Sequence, residues 1–139
     1  MKTALAMMIS RCAAACIVAT AACVPPAHAA GPAFAAKETV VLQRAAVPQT
    51  DRELGMGIAE FPPNAAKPRH KATGPELCYV LEGEVYVTIE GQQTQVFHAG
   101  DTFQLPANVV HLTSAGPSGA TVLAAWVHTP GKAFNVPAR

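Results

Sequence analysis

The chain has 139 residues, half of them hydrophobic, and its ten Lys and Arg stand against nine Asp and Glu for a formal net charge of +1 at pH 7. No basic run or stripe marks a nucleic-acid binder, and no amphipathic basic helix marks a membrane-surface protein.

The first element in chain order is a targeting segment, residues 1–29. Lys2 and Arg11 form a basic opening, Cys12 to Val24 is apolar, Pro25 and Pro26 break any helix, and Ala27-His28-Ala29 has the small-x-small pattern of a signal-peptidase site. The apolar core of about 13 residues is short of the roughly 20 that a permanent bilayer span needs. Thr20 stands where a lipoprotein signal places a large aliphatic residue, which argues against Cys23 as a lipid anchor. The expectation is cleavage near Ala29 and export, periplasmic or secreted, with no membrane attachment afterwards. Cys12, Cys16 and Cys23 leave with the signal, so Cys78 stands alone and no intramolecular disulfide can form. Without Lys2 and Arg11, eight basic residues face nine acidic ones. About 110 residues remain, enough for one small domain but not two.

Residues 30–39 read as a flexible, alanine-rich N-terminal segment, and the folded domain as 40–139. No stretch of the domain shows a helical period; β-rich runs alternate with Gly, Pro and Asn. Strands are expected at Val40 to Gln43 and Leu54 to Phe61. Leu77 to Leu81 and Val85 to Ile89 follow, joined by a tight hairpin at Glu82-Gly83-Glu84. Thr94 to Phe97, Thr102 to Leu105 and Val109 to Thr113 come next, and a Gly116–Gly119 loop leads to the last strand, Thr121 to Val127. About eight short strands with frequent turn signals predict an all-β sandwich or barrel. Thr121 to Val127 is apolar along its whole length, so a second subunit covering its outer face is expected.

The chemistry concentrates in two stretches. Strand alternation puts Glu76, Cys78 and Val80 on one face and Leu77, Tyr79 and Leu81 on the other. A carboxylate sharing a face with Cys78 and Val80 points into an apolar interior, where it needs a cation or a proton. His70 precedes it, and His111 opens a strand after the Pro106-Ala107-Asn108 turn. Two histidines and a glutamate are a plausible metal set by ligand type.

At this point the sequence resembles the small single-domain cupins, over nearly the whole of the chain beyond residue 29. The first cupin motif is Gly, five residues, His-x-His, three or four residues, Glu, six residues, Gly. It is matched by Asn64, five residues, His70-Lys71-Ala72, three residues, Glu76, six residues, Gly83. The second motif is Gly, five residues, Pro-x-Gly, two residues, His, three residues, Asn. Here it is Gly100, five residues, Pro106-Ala107-Asn108, two residues, His111, three residues, Ala115. The resemblance implies an all-β, cupin-type double-stranded β-helix (jelly-roll) barrel that pairs as a homodimer.

Asn64 and Asn108 replace glycines, and asparagine tolerates the left-handed backbone those turns need. Ala72 removes one of the family's four usual ligands. What remains is His70, Glu76 and His111, the two-histidine, one-carboxylate set of non-haem iron oxygenases. Two alternatives stay open. One is a metal-dependent enzyme, dioxygenase-like, in which these three residues hold a divalent iron, manganese or zinc ion and act on a small organic molecule. The other is a non-enzymatic cupin that holds a small ligand in a degenerate site. No catalytic acid or base is assigned. His98 and His128 are expected at the surface, Cys78, Phe103 and Trp126 in the core, and Lys67, Arg69 and Lys71 as a basic cluster beside the site.

Overall fold

The computed structural model describes residues 35–138. The expected signal peptide at 1–29 and the first part of the 30–39 segment lie outside the described residues. Residues 35–39 bridge to the domain before the first strand begins: the backbone amides of Ala36 and Lys37 donate to the carbonyls of Ala66 and Glu60.

Eight strands form one curled sheet, with no helix among the described residues. They are β1 (Val40–Ala46), β2 (Glu53–Phe61), β3 (His70–Ala72), β4 (Glu76–Ile89), β5 (Gln95–His98), β6 (Thr102–Leu105), β7 (His111–His128) and β8 (Asn135–Pro137). The two long strands carry the architecture. One half of the β4–β7 ladder pairs Glu76–Gly83 with Ala120–Trp126; the other pairs Val85–Ile89 with His111–Ala115. β1, β2 and β6 extend the first half, and β3, β5 and β8 extend the second. The result is the jelly-roll that the cupin resemblance implies.

Two expected breaks are absorbed into the long strands. The Glu82-Gly83-Glu84 segment is not a hairpin: β4 runs through it, with register shifts on either side of Gly83. Gly83 has φ of 78°, and a Cβ there would meet the backbone carbonyl of Gly119. This glycine therefore serves the close approach of two bulged strands rather than a chain reversal. Residues Gly116–Gly119, expected as a loop, lie within β7 where the ladder skips from Ala115 to Ala120. The short strands β3 and β8 were not expected at all, and β7 begins at His111 rather than Val109.

Alternation sorts the side chains. Cys78 and Val80 on β4, Val122, Ala124 and Trp126 on β7, and Phe103 and Leu105 on β6 fill one core. Leu77, Tyr79 and Leu81 on β4 and Leu54 and Met56 on β2 face outward and are exposed. Asn64 and Asn108 have φ of 58° and 62°, so the two turns keep their left-handed geometry with asparagine in place of glycine.

Candidate metal centre

Three separate strands each deliver one side chain to the same place. His70 opens β3 and is the direct cross-strand partner of His111, which opens β7. Glu76 opens β4, beside Trp126 on one neighbour and Leu105 on the other. One ligand atom from each of the three lies within 4.8 Å of the others. The imidazoles meet edge to face, with ring centroids 4.5 Å apart.

Both rings are oriented in the same way. His70 Nδ1 lies 2.7 Å from the Pro68 carbonyl oxygen and His111 Nδ1 lies 3.0 Å from that of Val109. A carbonyl only accepts, so each Nδ1 carries the proton and each Nε2 presents a lone pair. His111 is 1 % exposed, and its Nε2 is buried with no hydrogen-bond partner. Burial pulls the His111 pKa below its ordinary value, with the nearby His70 and Lys67 pulling the same way against the Val109 hydrogen bond. Burial pushes the Glu76 carboxyl above the usual carboxylate range, only partly offset by the positive charge of Lys67. Two imidazole lone pairs and a desolvated carboxylate converge with no donor between them, an arrangement that a cation satisfies. On their donor chemistry these residues could hold a divalent transition metal.

The site opens into a cavity of about 500 Å3, within the range of small-molecule sites. Trp126, Ala124 and Leu105 supply apolar wall; residues 36–44 and 132–137 form two of its edges. Ala72 shares the inward face of β3 with His70, yet it is fully buried and does not line the cavity. An imidazole at that position would have to displace packed neighbours before reaching the other three ligands.

His128 is a correction. Expected at the surface, it is 7 % exposed and lines the same cavity. It continues the inward face of β7 through Val122, Ala124 and Trp126. Arg44 donates from Nη1 to His128 Nε2 at 3.1 Å and to Glu53 Oε1 at 2.7 Å. Because a guanidinium only donates, the proton of His128 sits on Nδ1, which is buried without a partner. His98 is exposed as expected, 3.4 Å from Glu84. Cys78 is a buried free thiol whose pKa is pushed up to about 12 by burial and then by Glu76, so it is a core residue and not a nucleophile.

The chain is similar to known proteins. Residues 57–128 match the Cupin domain family. The chain is 40 % identical over 68 residues to dimethylsulfoniopropionate lyase DddW of Ruegeria pomeroyi, a match covering 49 % of this chain and 44 % of that protein. The chain thus spans less than half the length of the curated relative it matches. Among solved structures, DMSP lyase DddQ from Ruegeria pomeroyi superposes with a TM-score of 0.56 at 23 % identity, over 63 % of this chain and 44 % of that one. A double-stranded β-helix protein from Klebsiella pneumoniae superposes with a TM-score of 0.59 at 18 % identity, over 84 % and 90 %. The two superpositions speak for the fold, and the family match covers the strands that carry Glu76 and all three histidines of the cavity: the chain belongs to the cupin family.

Proposed function

We propose that His70 Nε2, Glu76 and His111 Nε2 hold a divalent transition metal and that the chain is a metal-dependent enzyme acting on a small organic molecule. The observation that carries this is the convergence of two correctly oriented imidazoles and one desolvated carboxylate at the wall of a cavity. A metal bound there supplies Lewis-acid or dioxygen chemistry at its open positions. The protein's part is to fix both imidazole tautomers through the Pro68 and Val109 carbonyls, to provide the one negative charge, and to shape the apolar wall around Trp126. Relatives and neighbours named as DMSP lyases and oxalate oxidases make dimethylsulfoniopropionate and oxalate the first substrates to try. Turnover of either by protein loaded with iron(II), manganese(II) or zinc(II), and its loss in His111→Ala, supports the reading. A metal-loaded protein that binds such molecules without converting them favours the second reading, a binding protein, for which Ala72 at the fourth ligand position speaks.

The proposal extends to location and assembly. The basic opening, short apolar core and Ala27-His28-Ala29 support export with cleavage near Ala29, and an expressed chain that stays in the cytoplasm with residues 1–29 intact would contradict it. The outward face of β2, β4 and β7 supports a homodimer: Leu77, 64 % exposed, lies between Ala125 and Gln104 in a band that also contains Leu54, Met56 and Tyr79. A band of this kind is where a second copy buries apolar area. Sedimentation at tens of micromolar should give a dimer for the wild type and a monomer for Leu77→Lys, with the far-ultraviolet circular dichroism unchanged. A monomeric wild type contradicts this assembly.

A further inference from the structure

The walls of the cavity are electrostatically lopsided. Five cationic side chains line it against two carboxylates, Glu38 and Glu76. Three of the cations are matched by acids: Lys37 by Glu60, Arg44 by Glu53 and Arg69 by Glu90. Lys67 and Lys132 are not, since among the described residues no carboxylate lies within 4 Å of either ammonium, and of the two it is Lys67 whose charge reaches Glu76 and His111.

Lys67 is also held in place. Its backbone amide donates to the carbonyl of Thr113, two residues beyond His111 on β7. Its Nζ donates to Thr39 Oγ1 at 3.0 Å and sits 5.8 Å from the centre of the Phe61 ring. One of three ammonium hydrogens is thereby used, by a neutral partner. The charge acts on the candidate ligands, since it lowers the pKa of both Glu76 and His111. A fixed ammonium and a divalent ion sharing the wall of one cavity repel each other unless an anion stands between them.

We propose that the ligand of this cavity is a small organic carboxylate, and that Lys67 is the residue that selects it, the carboxylate lying between the ammonium and the metal side of the site. The metal side rests on the reading above; the Lys67 side does not. A hydrogen bond between charged groups is stronger than one to a neutral isostere, which is the basis of the selectivity.

The test uses propionate and its neutral isostere propionamide, titrated by nuclear magnetic resonance into metal-free and manganese(II)-loaded protein. Wild type, Lys67→Met and Lys67→Arg are compared, with manganese(II) affinity measured separately on each. Wild type should prefer propionate by about tenfold or more. Lys67→Met should lose the preference and bind manganese(II) at least as tightly as wild type, because a nearby positive charge is gone, and Lys67→Arg should restore the preference. A merely structural lysine would weaken metal and ligand together. Equal binding of the two probes by the wild type, no binding of either, or a preference that survives in Lys67→Met overturns the proposal. Should manganese(II) fail to bind while the preference for propionate stands, the metal reading falls and the Lys67 site remains.

Discussion

Replacing Glu76 with glutamine lowers the affinity for manganese(II) by about 100-fold or more, because changes outside the ligand shell alone cost roughly 10–100-fold. Glutamine keeps the size and the carbonyl oxygen but removes the only negative charge among the three converging ligands. The effect has a pH signature. In the metal-free protein burial holds the Glu76 carboxyl above its ordinary value, so a proton competes with the metal over a wider range than for an exposed glutamate. Wild-type affinity therefore rises with pH through that raised value and levels off above it. The pKa of His111 is lowered by burial, so its protonated form competes with the metal only at lower pH than an exposed imidazole would. In Glu76→Gln the rise belonging to the carboxyl disappears, leaving only the imidazole contribution. Calorimetric titration of both proteins across the acidic range reads this directly; equal affinities, or identical pH profiles, would remove Glu76 from the metal set.

Gly74→Ala is expected to be the most destabilising single methyl that can be added near the site. Its Cβ would fall against the carbonyl oxygen of Val127 and 2.8 Å from the carbonyl carbon. Both atoms belong to the backbone of β7, so no side chain can turn aside to make room. The neighbouring hydrogen bonds, from Thr73 N–H to the Phe134 carbonyl and from Val127 N–H to the Pro75 carbonyl, lock the same segment. Relief requires the 73–76 segment to move off β7, and Glu76 moves with it. Overpacking costs typically 1–3 kcal/mol, and a backbone clash belongs at about the upper end. For a domain of this size that is a melting temperature lower by roughly 10 °C or more. The displaced Glu76 also weakens metal binding, which a remote destabilising substitution would not do. A thermal scan matching wild type would show that the close approach of Gly74 to β7 has no energetic weight.

The placement of Glu76 was legible before the structure, and the reason is periodicity; the approach of Gly74 to β7 was not legible. Glu76 faces inward because Cys78 and Val80 do, and the two motif frames bring His70 and His111 to neighbouring strands. His128 was legible by the same rule: Val122, Ala124 and Trp126 alternate toward the core, and position 128 is the next inward one. It was missed because a histidine at a strand end suggests solvent, whereas Arg44 and Glu53 close over it from β1 and β2. The continuity of β4 and β7 was not legible. Gly83 and Gly116–Gly119 carry local turn signals, and only the pairing of the two strands shows that these glycines accommodate bulges. The three-residue strands β3 and β8 are too short for any period; their pairing with each other is a tertiary fact. The depth of Ala72 is another: the motif spacing puts it beside His70, but packing around β3 keeps it from the cavity.

The most direct test of the metal centre is a calorimetric titration of chelator-treated protein with manganese(II), iron(II) and zinc(II), paired with the same titration of His111→Ala. The buried, partnerless Nε2 of His111 predicts one ion per chain for the wild type, and a loss of that binding in the variant. No saturable binding of any of the three metals by the wild type, or binding that survives intact in His111→Ala, would contradict the account.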